Sequence, residues 1–287
     1  MKTAYPSVLP RPLVEEAVRH ALLEDLGRAG DITSHATIAP EKQATAILTS
    51  REDGVLAGLD FVRAAFAQID PFLDVSIAVT DATHIKAGQE IARISGNARS
   101  ILSAERVALN YLMVLSGIAT YTARFADKIA HTQVKICDTR KTMPGMRSFA
   151  KYAVRCGGGA NHRFGLDDAV LIKDNHIAVA GGVKQAIEAA RSFVGHLVKI
   201  EVEVDTLEQM TEALSVQADV ILLDNMSSET LVKAVEINAG RAKLEASGNI
   251  NFDTVKAVAE TGVDYISTSK ITMSAPTLDV GLDIIIT

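Results

Sequence analysis

From Val134 onward, short apolar runs alternate with stretches of helical periodicity, and no other feature of the sequence narrows the fold so far. Strands are predicted at Val134–Cys137, Ala169–Lys173, Val198–Val204, Val220–Leu223, Lys243–Ala246 and Tyr265–Ser267, with helices near 145–155, 180–192, 206–214, 228–237 and 252–260. Repeated β-then-α units of this kind require parallel strands joined by crossover helices, in an open sheet or a closed barrel. Polar residues decide between the two. They follow or end nearly every strand: Asp138 to Lys141, Lys173 to His176, Glu201 and Glu203, Asp224-Asn225, Glu245 and Ser247, and Ser267 to Ser269. An open sheet concentrates such residues at one switch point, whereas a TIM-like barrel presents them around one rim. Parity agrees, because Glu201 and Glu203 share one face of Ile200–Val204 while the apolar residues take the other, and Lys243–Ser247 repeats the alternation. Six strands instead of eight predict an incomplete barrel.

Upstream, Pro12, Leu13, Ala17, Ala21, Leu22 and Gly27 mark an N-terminal helix. The pattern turns to strand from Ala44 to Leu56 around Asp53-Gly54, to helix from Leu59 to Ile69, and to two further strands between 74 and 95. A helix capped by Ser100 or Ser103 runs through Leu115, and Gly117 is expected to divide it from a second helix, Ile118 to Ile129. The expected organisation is therefore α/β with two domains: 1–116, to which 277–287 return, and a barrel over 117–276. A chain of 287 residues is long enough for both.

Composition removes several function classes. A net charge of −6 disfavours wholesale nucleic-acid binding, which depends on neutralising phosphates, and the absence of Trp argues against stacking platforms for bases. Cys137 and Cys156 are too few for a disulfide framework and lack metal-type spacing, which points to a reducing compartment. Met1 to Pro6 carries no signal-peptide core and no apolar run approaches the ~20 residues of a membrane span, so a cytoplasmic location away from membranes is expected.

The cations are local instead. Arg140, Lys141, His162, Arg163 and Lys173 fall in one short stretch, and their convergence would hold a ligand with several negative charges; solvated surface charge explains one such residue but not all five. Gly157, Gly158 and Gly159 permit either a close backbone approach to a ligand or a ligand-free tight turn. Glu203 and Asp224, on adjacent strands, suit a hard cation or a sugar hydroxyl pair, with ion pairs to Lys173 or Lys243 as the alternative. Ser247-Gly248-Asn249, opening a helix, and the loop from Ser267 resemble phosphate cups on the last strands of such barrels; a plain helix cap is the competing reading for Ser247. A phosphate cup, a cation cluster for a carboxylated partner and a carboxylate pair are the equipment of a phosphoribosyl transfer.

Asp138-Thr139-Arg140-Lys141-Thr142-x-Pro144-Gly145, Lys151-Tyr152-Ala153-Val154, Gly157-Gly158-Gly159-x-Asn161-His162-Arg163, Leu171 to His176, Glu201 to Val204, Leu222 to Asn225 and Leu244 to Gly248 together resemble the quinolinate phosphoribosyltransferase family, in the family's order and over nearly the whole chain. The resemblance implies transfer of phosphoribose from phosphoribosyl diphosphate to quinolinate with decarboxylation. It also implies Mg²⁺, an N-terminal open α/β sandwich beside an incomplete TIM-like α/β barrel, and a homodimer or a larger assembly of dimers. By position, Arg140, His162, Arg163 and Lys173 are expected to bind quinolinate. Lys141 should lie between the substrates, with Glu203 and Asp224 as ribose and metal carboxylates and Lys141, Glu203 and Asp224 as the catalytic set. Asn175, His176, Ser247, Gly248, Ser267, Ser269 and Lys270 are expected on phosphoribosyl diphosphate. Arg106, which alone reads as a surface or ion-paired arginine, becomes the arginine inserted into the neighbouring subunit's site. One departure stands out: Ser267-Thr268-Ser269-Lys270-Ile271-Thr272-Met273 replaces the family's Ser-Val-Gly-Ala-Leu-Thr-His, so Ser269 or Lys270 is expected to supply the phosphate donor in place of the glycine. The rivals are a paralogue acting on another carboxylated ring, a Schiff-base aldolase using Lys173, and a non-catalytic phosphate-binding barrel.

Overall fold

Alternation of small and branched apolar residues makes Gln43–Ser50 a strand with Ala44, Ala46 and Leu48 on its buried face, as a half-buried antiparallel sheet requires. In the computed structural model, which describes residues 8–285, the elements in chain order are α1 (Arg11–Leu26), α2 (Ile32–Thr37), β1 (Gln43–Ser50), β2 (Gly54–Val55), α3 (Leu59–Ile69), β3 (Asp74–Ile77), β4 (His84–Ile85), β5 (Glu90–Asn97) and α4 (Ala98–Lys128). They continue as β6 (Lys135–Cys137), α5 (Arg147–Cys156), β7 (Val170–Ile172), α6 (Asp174–Ala180), α7 (Val183–Phe193), β8 (Ile200–Val204), α8 (Leu207–Ser215), β9 (Val220–Asp224), α9 (Ser228–Asn238), β10 (Lys243–Ser247), α10 (Val255–Ala259), β11 (Tyr265–Ser267), α11 (Lys270–Met273) and β12 (Val280–Ile285). The N-terminal segment Met1 to Pro6, read above for targeting, lies outside the described residues.

Two compact units result, divided at other points than 116/117. The first takes residues up to Ala123, Ser148–Gly158 and Ala275 onward; the second takes Arg124–Arg147 and Gly159–Ser274. The expected break at 116/117 falls inside α4, which is continuous from Ala98 to Lys128. Gly117 is not a helix breaker: a Cβ there would sit 2.1 Å from the carbonyl oxygen of Pro276 and 2.9 Å from Cα of Thr277, so its missing side chain admits the returning chain. Because α4 is unbroken, it is long and apolar enough by length and composition to cross a membrane. Its Ile101, Ala104, Ala108, Leu112 and Leu115 are buried within the protein, which makes it a core helix here.

In the first unit the sheet order is β12-β1-β5-β3, and the C-terminal strand pairs antiparallel with β1 from Thr45↔Ile285 to Ser50↔Val280. Helix α3 buries Phe61, Val62, Ala65 and Phe66; each phenylalanine contributes roughly 2 kcal/mol of transfer free energy. Its first N–H groups are satisfied from a distance, Gly58 and Leu59 donating to the Asp81 carboxylate at 2.8 and 3.2 Å. Tyr152 Oη on α5 donates to the same carboxylate at 2.6 Å, and Phe149 meets Phe61 edge-on at 4.9 Å. These contacts explain why residues 148–158, expected with the barrel, belong to the first unit. Gly157 serves the same packing, since a Cβ would lie 2.2 Å from Ala119 O, and Gly158 turns the chain with φ of 82°.

The second unit is a six-stranded parallel sheet ordered β6-β11-β10-β9-β8-β7. It is the expected incomplete barrel, open between β6 and β7. At that gap Ala160 bridges Cys137, with Ala160 N–H donating to Ile136 O at 2.8 Å and Asp138 N–H to Ala160 O at 3.3 Å. One residue thus extends the sheet at the open edge and delivers Asn161-His162-Arg163 to the rim.

Candidate active site

Asp138, fully buried at the end of β6, organises the rim beside the gap. Its carboxylate accepts from Asn161 Nδ2 at 2.6 Å and from His162 N–H at 3.0 Å, which fixes the loop that carries His162 and Arg163. Arg147, at the start of α5, spans neighbouring loops: it donates to Phe164 O at 3.1 Å, to Arg140 O at 3.4 Å and to Thr142 Oγ1 at 3.4 Å. Thr272 Oγ1 on α11 donates to Lys141 O at 2.8 Å. Asp138, Arg147 and Thr272 therefore hold the predicted cations in place without being among them.

Two adjoining cavities occupy this rim. The smaller, about 160 Å³, is lined by Arg140, His162, Arg163, Leu171, Leu222 and Glu245, together with Thr139, Lys141, Lys173, Glu203, Ser247 and Ser267. The larger, about 450 Å³, shares those last six residues and adds Asp224, Asn225, Gly248, Asn249, Ile250, Thr268, Ser269 and Lys270. Lys141, Lys173 and Glu203 thus form the common wall, and Lys173 Nζ is ion-paired with Glu203 Oε2.

In the smaller cavity the two arginines are under-neutralised. The buried Nε atoms of Arg140 and Arg163 find no hydrogen-bond partner among the described residues. Burial, then the neighbouring Arg140, lowers the pKa of Arg163 from its ordinary value. A desolvated like-charge pair with unused donors is a binding site for an anion.

His162 behaves differently from the cation expected of it. Its Nδ1 accepts from Arg163 N–H at 2.8 Å, which leaves the ring hydrogen on Nε2 in the neutral tautomer. Nε2 lies 2.9 Å from Glu201 Oε2 and 3.7 Å from Glu245 Oε1. The donor atoms of His162, Glu201 and Glu245 all lie within 4.8 Å of one another, near enough to enclose a cation, but the 2.9 Å contact and the fixed tautomer make them a hydrogen-bonded network. Glu245 has its pKa pushed up to about 7, by burial first and then by Glu201.

The larger cavity is polar and turn-rich. Gly248 has φ of 89°, and a Cβ on it would lie 2.2 Å from Asn225 Oδ1 and 2.9 Å from Asn225 N; only glycine lets the turn after β10 close on Asn225. Asn225 N–H donates to Ser247 O at 2.9 Å. Ser247 ends a strand and caps no helix, since α10 begins only at Val255, which removes the competing reading of it as a plain cap. Ser269, where the resemblance leads glycine to be expected, sits at φ −77° and ψ −10°, a conformation that costs a serine no backbone strain. Glu203 and Asp224 both line this cavity, and their carboxylate oxygens suit a hard divalent cation that keeps waters and phosphate oxygens as its remaining ligands.

The structure does not bring every expected residue to these cavities. Asn175 and His176 line a separate apolar groove of about 1060 Å³ with Leu166, Val179 and Phe193. The reason is local: Lys173 to His176 is the first turn of α6 and not a strand-end loop, and Lys173 N–H donates to His176 Nδ1 at 3.0 Å. Arg106 is exposed on α4 in the first unit. Gly157, Gly158 and Gly159 do not line either cavity. Glu201 and Glu245 were visible in the sequence only as inward-parity residues, and Arg147 was missed.

The sequence matches "Quinolinate phosphoribosyl transferase, C-terminal domain" over residues 118–283 and "Quinolinate phosphoribosyl transferase, N-terminal domain" over 31–116. The chain belongs to the quinolinate phosphoribosyltransferase family. Within it, the chain is 41% identical over 271 residues to a probable nicotinate-nucleotide pyrophosphorylase (carboxylating) of Bacillus subtilis, covering 94% of this chain and 93% of that protein. It is 41% identical over 277 residues to the corresponding protein of Mycobacterium leprae, covering 94% and 96%. The nicotinate-nucleotide pyrophosphorylase of Francisella tularensis superposes with a TM-score of 0.94 at 41% identity, over 99% of this chain and all of that one. The family's two-domain architecture, an incomplete barrel with a separate N-terminal domain, is the one described above.

Proposed function

We propose that this chain transfers phosphoribose from phosphoribosyl diphosphate to quinolinate with loss of CO₂, giving nicotinate mononucleotide and diphosphate, as a cytoplasmic step of de novo NAD synthesis. The observation that carries this reading is the pairing of unequal cavities: one with two under-neutralised arginines for a dicarboxylate ring, the other a glycine-turned polar cup for phosphate, with Lys141, Lys173 and Glu203 shared between them. Arg140, Arg163 and Lys173 hold the carboxylates, and His162 contributes a neutral, oriented ring. Ser247, Gly248, Ser267, Ser269 and Lys270 receive the 5-phosphate. Glu203 and Asp224 lie where cationic charge develops on the ribose as diphosphate leaves, and fixed carboxylates stabilise such charge. They would also hold Mg²⁺, which neutralises the leaving diphosphate when bound. The working form is a homodimer in which Arg106 of one protomer completes the partner's site.

A diphosphate-release assay with quinolinate and with nicotinate, each with and without Mg²⁺, tests the reading. Magnesium-dependent turnover of quinolinate is expected. Turnover with nicotinate alone would overturn it in favour of a paralogue acting on another ring.

A further inference from the structure

The reaction proposed above has a step that the carboxylate-binding cations do not perform. When CO₂ departs, the carbon–carbon bond electrons stay on the ring carbon beside the newly alkylated nitrogen, and that carbon must then gain a proton. Arginines are poor sources, Lys173 is held in its ion pair with Glu203, and a bound ring displaces water from a cavity of only about 160 Å³.

Resting on that reading of the reaction, we propose that the Glu245 carboxyl is the acid that delivers this proton to the ring carbon. Glu245 lines the smaller cavity beside Arg140, Arg163 and Lys173, yet it is only 4% exposed. The groups facing it are Glu201 from β8, His162 from the gap loop, Asp138 from the end of β6 and Ser267 from β11. The single imidazole hydrogen is directed at Glu201, at 2.9 Å, and lies 3.7 Å from Glu245. His162 thus hydrogen-bonds the Glu201 carboxylate and leaves Glu245 beyond hydrogen-bond distance. Glu201 Oε1 and Glu245 Oε1 are both without a hydrogen-bond partner among the described residues, and Ser267 hydrogen-bonds the Glu245 carboxyl; two carboxylates crowded into one buried space disfavour a second charge there. A neutral carboxyl also admits a dicarboxylate where an ionised one would repel it.

The step balances as follows. The ring–carboxyl bond breaks and CO₂ leaves without its electron pair; the pair takes the hydrogen from the Glu245 O–H; Glu245 becomes a carboxylate and is reprotonated from solvent once product has left. Glu201 and His162 are positioning residues in this scheme, since the imidazole hydrogen-bonds Glu201 at 2.9 Å and lies 3.7 Å from Glu245.

Single-turnover quench-flow with quinolinate labelled in its 2-carboxyl group separates the two events, because diphosphate and CO₂ are read independently. Glu245→Gln is expected to slow CO₂ release relative to diphosphate release on the order of 100-fold, the scale of a lost general acid. A dicarboxylated mononucleotide should then accumulate and be visible by mass spectrometry. Diphosphate and CO₂ released in step by Glu245→Gln, at any rate, would overturn the proposal alone. In the unmodified enzyme, the ratio of the CO₂ rate to the diphosphate rate should fall as pH rises through about 7. A ratio constant between about pH 6 and pH 9 would overturn it without any variant. No diphosphate from quinolinate in the unmodified enzyme would remove the functional reading and this proposal with it.

Discussion

Glu245 also has a thermodynamic side that can be measured without substrate. Its pKa is raised from 4.5 to about 7 in the folded state, by burial and then by Glu201, so the folded protein binds this proton more tightly than the unfolded chain does. The resulting stabilisation is fully present below about pH 4.5 and is lost as pH rises through about 7. Glu245→Gln cannot ionise. Its stability relative to the unmodified protein should therefore improve by up to about 3 kcal/mol between about pH 5 and about pH 8, on top of any constant offset. Urea melts at the two pH values measure it, and an offset independent of pH would count against a buried, proton-holding Glu245. At this scale the cations of the site were legible because so many charges crowd one stretch, and charge needs a reason to be crowded. The network beneath them was not. Nothing local distinguishes Glu245 from Glu203, two residues of the same parity on like strands; one is buried against Glu201 and His162 and the other paired with Lys173, a difference that only folding creates. His162 was read as a charge for the same reason, since its Nδ1 partner is a backbone N–H.

Elements were legible where a single face is buried and obscure where it is not. The six parallel strands and α3 follow their apolar patterns. Helix α6 was missed because it buries no residue at all, leaving no stripe to detect, and because its first turn reads as site chemistry. Gly117 was misread because glycine signals both a break and a close approach, and the Pro276 backbone that needs the space lies far away in sequence. Ordinarily Gly→Ala within a helix gains about 1 kcal/mol. Here Gly117→Ala drives a methyl group against backbone that cannot rotate aside, and the variant should lose about 1–3 kcal/mol instead. Chemical denaturation reads the sign directly; a net gain would mean that Pro276 and Thr277 do not lie on this helix. The cap on α3 shows the same limit, since its acceptor, Asp81, comes from a distant loop.

For the whole molecule, the proposed shared site makes a prediction that neither protomer alone can satisfy. Arg106→Ala and Lys173→Ala homodimers should each be strongly impaired, and mixing them should restore activity. Random exchange leaves about half of the dimers mixed, each with one site built from two intact contributions. No recovery despite verified mixed dimers would mean that each protomer's site is self-sufficient. The barrel, its companion domain and the return of the C-terminal segment were legible in the sequence, but the return of 148–158 was not, because it depends on Tyr152 and Phe149 finding partners in the first unit. That threading bears on synthesis at the ribosome. Strand β1 has one hydrogen-bonding edge unpaired until residues 280–285 emerge. The second unit has all of its chain out of the tunnel before then. The usual vectorial order is therefore reversed: the catalytic barrel is free to mature first, and the half whose translation began earliest is the last to close.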